Sequence, residues 1–187
     1  YDWQDGHLDE AATPLRPRTR YGRCKAALGL LAGDLAAALG VGLAWGRIHF
    51  PYGPGEHPER LVPQIARRLL AGEPAATGPA DVARDFIHVD DLAAAVALLL
   101  RRGHHGALDL CSGRSTEVGE IARTIAAQLG RADLLRLGAL PARPGDPRRL
   151  TGEPRTLRGL GWSARVDLDT GLRQCVEAWR DHAEVAA

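Results

Sequence analysis

Methionine is missing from all 187 residues, and lysine nearly so. Of 24 basic side chains, Lys25 is the one lysine and 23 are arginines. Aromatic residues make up only 5%. The three cysteines, Cys24, Cys111 and Cys175, are odd in number and far apart. They form neither a disulfide framework nor a CxxC metal site, so a reducing, cytoplasmic setting is expected. The longest uncharged apolar run, Leu92–Leu100, has nine residues and is far short of a bilayer span. A net charge of +1 provides no field to gather nucleic acid or anionic lipid. The arginines are interleaved with acids, so neither a nucleic acid nor a membrane is expected as a partner. The absent methionine leads to the expectation that Tyr1 is not the natural start but a processed end, a fragment end or the first ordered residue of something longer.

What is present is ordinary for a globular protein: 45% hydrophobic and 25% charged. Alanine (31) and leucine (27) are abundant beside arginine, as in a GC-rich coding sequence. Such a bias replaces lysine wherever charge alone is needed, so the surviving lysine points to chemistry that arginine does not perform.

Residues 1–19 read as an irregular connection. A helix is expected from Arg20, with Leu28, Leu31, Leu35 and Leu39 at three- and four-residue spacing and Gly40 as its stop. Val41–Ile48 reads as a buried strand, and Glu59–Ala71 as a helix stopped by Gly72. Arg84–Val89 alternates like a strand. Asp90 and Asp91 are then expected to cap a helix to Arg102. Gly106–Cys111 is a further strand, Thr116 the expected cap of a helix ending at Gly130, and residues 141–154 irregular. A last helix covers 169–183. Strand and helix alternate, which predicts an α/β protein with a largely parallel sheet. Two or three visible strands are too few for a sheet buried on both faces, which again suggests that an N-terminal half is missing.

Tyr21-Gly22-Arg23-Cys24-Lys25 is the most informative segment. Tyrosine and lysine four apart on a helix share one face, with Cβ atoms about 6 Å apart. A phenol is a poor acid or base at neutral pH, but a neighbouring ammonium favours its ionised form. Such a tyrosine can move a proton to or from a sugar oxygen, and a lysine is a compact donor to ribose hydroxyls. The plain alternative is an amphipathic helix start with two exposed side chains.

Several blocks in order resemble the extended short-chain dehydrogenase/reductases of the nucleotide-sugar epimerase, dehydratase and ketoreductase branch. These are YGRCK (21–25), GRIHFPYGPGE (46–56), RDFIHVDDLAAAV (84–96), GALDLCSG (106–113), ARPGDPRR (142–149) and LGW (160–162). The resemblance implies a doubly wound, Rossmann-like parallel-sheet domain, incomplete at its N-terminus, with a smaller α/β substrate-binding domain. Residues 1–50 and 82–112 would belong to the first, and 51–81 and 113–187 to the second. It implies Tyr21 as catalytic acid/base, with Lys25 tuning it and holding the nicotinamide ribose of NAD or NADP. His49, Phe50 and Pro51 would border the nicotinamide. Phe50, Arg60, Leu61, Val62, Arg84, Arg143 and Asp146 would contact a nucleotide-sugar substrate, the two arginines at its diphosphate and Asp146 at its ribose. A homodimer through the helix bearing YxxxK is implied as well.

The chain also departs from the family pattern. It holds no glycine-rich turn for a dinucleotide pyrophosphate, and the family's serine or threonine partner of the tyrosine would fall before Tyr1. Phe50 stands where many members carry asparagine. That favours a 4-ketoreductase of a deoxysugar pathway over a 4-epimerase or 4,6-dehydratase, and a non-catalytic dinucleotide sensor remains the alternative from another class. Elsewhere the expected readings are plain: His104 and His105 as a solvated loop, His88 as a packed histidine, and Cys24 as a small helix residue without a base, while Arg148 and Arg149 are read equally as phosphate contacts or as solvated surface. No metal site is expected.

Overall fold

The computed structural model describes residues 1–2 and 6–185, with side chains as far as Asp181. Trp3, read as part of the opening connection, lies outside them. The strands are β1 (Gly6–Leu8), β2 (Ala44–Ile48), β3 (Phe50–Tyr52), β4 (Ala75–Ala76), β5 (Ala83–Arg84), β6 (Phe86–His88), β7 (Gly106–Leu110), β8 (Thr116–Glu117), β9 (Leu135–Arg136) and β10 (Arg149–Gly152). The helices are α1 (Arg20–Leu39), α2 (Leu61–Leu70), α3 (Val89–Arg102), α4 (Val118–Leu129), α5 (Arg155–Gly159) and α6 (Leu168–Val185).

The pairing is overwhelmingly parallel. Strands β2 and β7 run side by side from Ala44–Gly106 to Ile48–Leu110. Strands β3 and β6 pair from Phe50–Phe86 to Tyr52–His88, and β4 pairs with β9. A four-stranded sheet has the order β1-β10-β5-β8, in which only β8 is antiparallel to its neighbour. This is an α/β architecture in which helices make the crossovers that parallel strands require.

Two apolar cores hold it together. In the first, α2, α4 and α6 bury Val62, Ile65, Leu69, Ile121, Ile125, Leu172 and Val176 beneath Tyr52. The second gathers Ile87, Leu99, Leu108, Leu110, Leu157 and Trp162 from β6, α3, β7 and the segment around α5. Full burial of each such side chain stabilises by about 1.5–3 kcal/mol relative to exposure. No helix among the described residues is long and apolar enough to cross a membrane.

Helix boundaries follow the local signals closely. Thr19 caps α1, its hydroxyl accepting from the Gly22 amide at 3.0 Å, and α1, α3 and α4 stop at left-handed Gly40, Gly103 and Gly130. Other expectations fail for identifiable reasons. The opening and the 141–154 stretch each contain a strand, because Gly6–Leu8 and Leu150–Gly152 complete one another across the chain. Such a pairing leaves no local signature. The 84–89 strand is split at Asp85, whose side chain turns inward to accept four hydrogen bonds. The α3 cap is His88, whose Nδ1 accepts from the Asp90 amide at 3.3 Å. Asp91 instead accepts from the Arg165 and Val166 amides at 2.9 and 3.0 Å and so anchors the closing segment. Thr116 is not a cap either; it pairs with Arg84 in the sheet. Strand β2 was expected to be buried, yet Ile48 is 52% exposed, because among the described residues β2 pairs with β7 alone.

Gly152 is required by close approach. A Cβ there would lie 2.5 Å from Cys111 Sγ and 2.6 Å from His49 Cε1. Cys111 and the His49 side chain are both buried, so neither moves aside cheaply. Gly152→Ala is expected to destabilise by about 1–3 kcal/mol, the cost of overpacking, as measured by chemical denaturation.

Candidate active site

Two groups of side chains emerge. The first is in the opening turns of α1. The Thr19 cap fixes where the helix starts, and its 3.6-residue period then places Tyr21 and Lys25 on one face. The Lys25 ammonium lies 5.8 Å from the Tyr21 ring centroid. Tyr21 is 73% exposed, so its hydroxyl is presented outward rather than packed.

The second group is built on β3, β5 and β6. The Phe50 amide donates to the Asp85 carbonyl at 3.1 Å, which aligns β3 with the break between β5 and β6. The Phe50 ring lies 6.0 Å from that of Phe86, and the Arg84 guanidinium stands over it at 5.7 Å. Arg84 is nearly buried. It donates to the Ala83 carbonyl at 2.8 Å and pairs with Asp146 at 3.5 Å. Asp146 belongs to a turn closed by its own amide on the Arg143 carbonyl at 3.2 Å, and Arg143 itself is exposed. Phe50, Arg84 and Asp146, far apart in the chain, are thus brought together, with Arg143 three residues before Asp146 in its turn. His49 and Pro51 flank Phe50 on the same segment.

The remaining candidates are placed differently. Arg60 is exposed at the start of α2 and pairs with Glu56 at 3.5 Å. Leu61 is half-buried, while Val62, 1% exposed, is a core residue. Burial pushes the Glu56 carboxyl above its usual range, against the pull of Arg60.

The residues that lock this framework were not singled out from the sequence. Asp85 is fully buried; its Oδ1 accepts from the Ser112 amide and hydroxyl, both at 2.7 Å, and its Oδ2 from the Gly113 and Gly152 amides at 3.0 and 3.1 Å. Burial raises its carboxyl above the usual range, with the Ser112 donors and nearby His49 pulling the other way. Asp109, also fully buried, accepts from the Tyr1 hydroxyl at 2.6 Å and faces His49 Nε2 at 3.5 Å. Arg47 donates to the Tyr1 hydroxyl at 2.8 Å, and Glu10 ties the Asp109 amide at 2.9 Å to Thr156. One signal was available: an aspartate between leucines in an apolar strand is costly unless it has partners.

Residues 1–111 match the model of the NAD dependent epimerase/dehydratase family. The chain belongs to that family. Among this family's relatives, a dTDP-glucose 4,6-dehydratase of Streptomyces niveus is 32% identical over 95% of the chain and 53% of its own length. A UDP-glucose 4-epimerase of Thermus thermophilus, solved with NAD, superposes with a TM-score of 0.84 at 27% identity, covering 94% of this chain and 58% of that one. MoeE5, solved with UDP-glucose and NAD, has a TM-score of 0.85 at 31% identity over 98% of this chain and 62% of its own. Both solved structures are Rossmann-fold members of the family. The chain spans little more than half the length of most such curated relatives, and about a quarter of a trifunctional plant one.

Proposed function

We propose that the whole protein is an NAD(P)-dependent enzyme acting on a nucleotide-activated sugar, with Tyr21 as its acid/base. The observation that carries this is the exposed Tyr21–Lys25 pair on one face of α1 in a member of this family. The donor set fits the nicotinamide-ribose end of a dinucleotide: one phenol, and one ammonium with three hydrogens for ribose hydroxyls. It does not extend to the pyrophosphate, for which the chain has no glycine-rich turn. When bound, the nicotinamide supplies or accepts hydride. Tyr21 gives or takes the proton at the sugar oxygen, and Lys25 places positive charge over the Tyr21 ring. The backbone of His49–Pro51 borders the nicotinamide. Arg84 and Arg143 hold the diphosphate, which guanidinium forks grip bidentately, while Asp146 takes the nucleotide ribose and Arg60 and Leu61 line the sugar side.

In this reading residues 1–50 and 82–112 complete the dinucleotide-binding domain, and 51–81 and 113–187 form the substrate domain. The exposed leucines of α1, Leu31 at 66% and Leu35 at 60% among them, supply the contact of a homodimer. Phe50 favours reduction of a 4-keto deoxysugar. Its ring, flanked by Phe86 and Arg84, presents an apolar surface where a hydroxyl-gripping amide would otherwise stand.

The test is nicotinamide absorbance in the near ultraviolet after mixing the whole protein, the reduced cofactor and a 4-keto-6-deoxy nucleotide sugar. Stoichiometric loss of reduced cofactor is expected. Product formed instead from a nucleotide hexose, with no net change in the cofactor, would indicate an epimerase or dehydratase, and cofactor binding without product from either sugar would overturn the enzymatic reading.

A further inference from the structure

A cleft of about 180 Å³ lies where the β6–α3 corner, the loop after β7 and the segment leading into α6 meet. It shares only the Phe86 ring with the Phe50–Arg84 group, since Phe86 packs against Phe50 on one side and against Tyr52, at 6.3 Å, within the cleft wall. None of Tyr21, Lys25, Arg84, Arg143 and Asp146 lines it.

Its hydrogen-bonding groups are unevenly engaged. The two acids in the wall are already occupied. Both oxygens of Asp91 accept backbone amides, and those of Asp167 accept the Thr170 amide and hydroxyl at 2.9 and 2.8 Å. The donors are not. His88, 2% exposed, uses Nδ1 as an acceptor for the Asp90 amide, and its buried Nε2 has no hydrogen-bond partner among the described residues. The Arg114 and Arg165 side chains line the cleft and are exposed, and each uses only its backbone amide in the surrounding hydrogen bonds. Phe86 and Leu168 add apolar surface.

We propose that this cleft is a second ligand site, separate from the nucleotide-sugar site, and that it takes a small phosphate-bearing molecule. Two guanidiniums supply charge-assisted donors to phosphate oxygens. The volume is below the roughly 300–1,000 Å³ of pockets that enclose drug-sized ligands, so it suits a phosphate with a small group attached rather than an enclosed nucleotide sugar.

The test is calorimetric titration of the protein with inorganic phosphate, glucose 1-phosphate and glucose, with amide NMR to locate the site. Saturable binding of one or both phosphates is expected, moving the Arg114, Arg165 and Val166 amide resonances. The double variant Arg114→Ala, Arg165→Ala should weaken it at least about tenfold, the loss of one charge-assisted hydrogen bond or more. Both backbone amides keep their bonds in that variant, so folding should be unaffected. Arg143→Ala, at the proposed diphosphate site, should leave the shifts of these three amides unchanged. Equal affinity for both phosphates would identify the phosphate group as the ligand, and preference for glucose 1-phosphate would identify a sugar phosphate. Either supports the site. Absence of those amide shifts, shifts that survive the double variant, their loss in Arg143→Ala, or equal affinity for glucose would overturn it. The readout is binding alone and does not depend on the proposed reaction.

Discussion

Asp85→Ala is expected to destabilise the fold by about 4 kcal/mol or more, lowering the denaturation midpoint steeply even though the residue touches no solvent. The carboxylate accepts four hydrogen bonds in a fully buried setting: two from Ser112, one from Gly113 and one from Gly152. Truncation leaves three backbone amides and a hydroxyl facing a void, and each unsatisfied buried donor costs about 1–3 kcal/mol. Relaxation and an entering water recover part of that sum, and for that reason the expectation is set near 4 kcal/mol. Against a total stability of roughly 5–15 kcal/mol, the loss is a large share. Asp85→Asn separates shape from chemistry. It keeps the volume, yet its amide nitrogen must face two of the four donors, so it should recover less than half of the loss. If the two variants unfolded within about 0.5 kcal/mol of the wild type, Asp85 would not be the junction described.

The position of Asp85 shows where sequence reasoning reaches and where it stops. Helices were legible because their signals are local: glycines at three ends, and apolar spacing along α2 and α6. Strands β1 and β10 were not, because each is three or four residues long and is stabilised by a partner more than 140 residues away. The grouping of Phe50, Arg84 and Asp146 came from resemblance alone, since nothing in their spacing predicts that a loop after residue 140 returns to β5. The inward turn of Asp85 and the reassignment of Asp91 from helix cap to anchor have one cause. In both cases a carboxylate met backbone amides of a distant segment, and that tertiary demand outweighed the local one, strand continuity at Asp85 and helix capping at Asp91. The exposure of α1 was equally unreadable, because leucines at helical spacing look the same whether or not this chain supplies their cover.

Tyr21→Phe is expected to lower turnover of the whole protein by about 10²- to 10⁴-fold, the usual contribution of a positioned acid/base. That corresponds to roughly 3–5 kcal/mol on the barrier. The substitution removes one oxygen and keeps the ring on which Lys25 lies at 5.8 Å. Because Tyr21 is 73% exposed, stability should stay within about 0.5 kcal/mol, so a loss of rate reports chemistry rather than unfolding. Cofactor affinity should be nearly intact, since the ribose-holding role is proposed for Lys25. Lys25→Ala should behave differently, weakening the cofactor and the turnover together, while Lys25→Arg should restore neither fully because a planar fork replaces a compact ammonium. These two patterns distinguish an acid/base from a binding residue: the tyrosine variant falls in kcat with KM held, and the lysine variants shift both. Turnover in Tyr21→Phe within a few-fold of the wild type would remove the phenol from the reaction, and the proton at the sugar oxygen would then have to come from a group elsewhere in the protein.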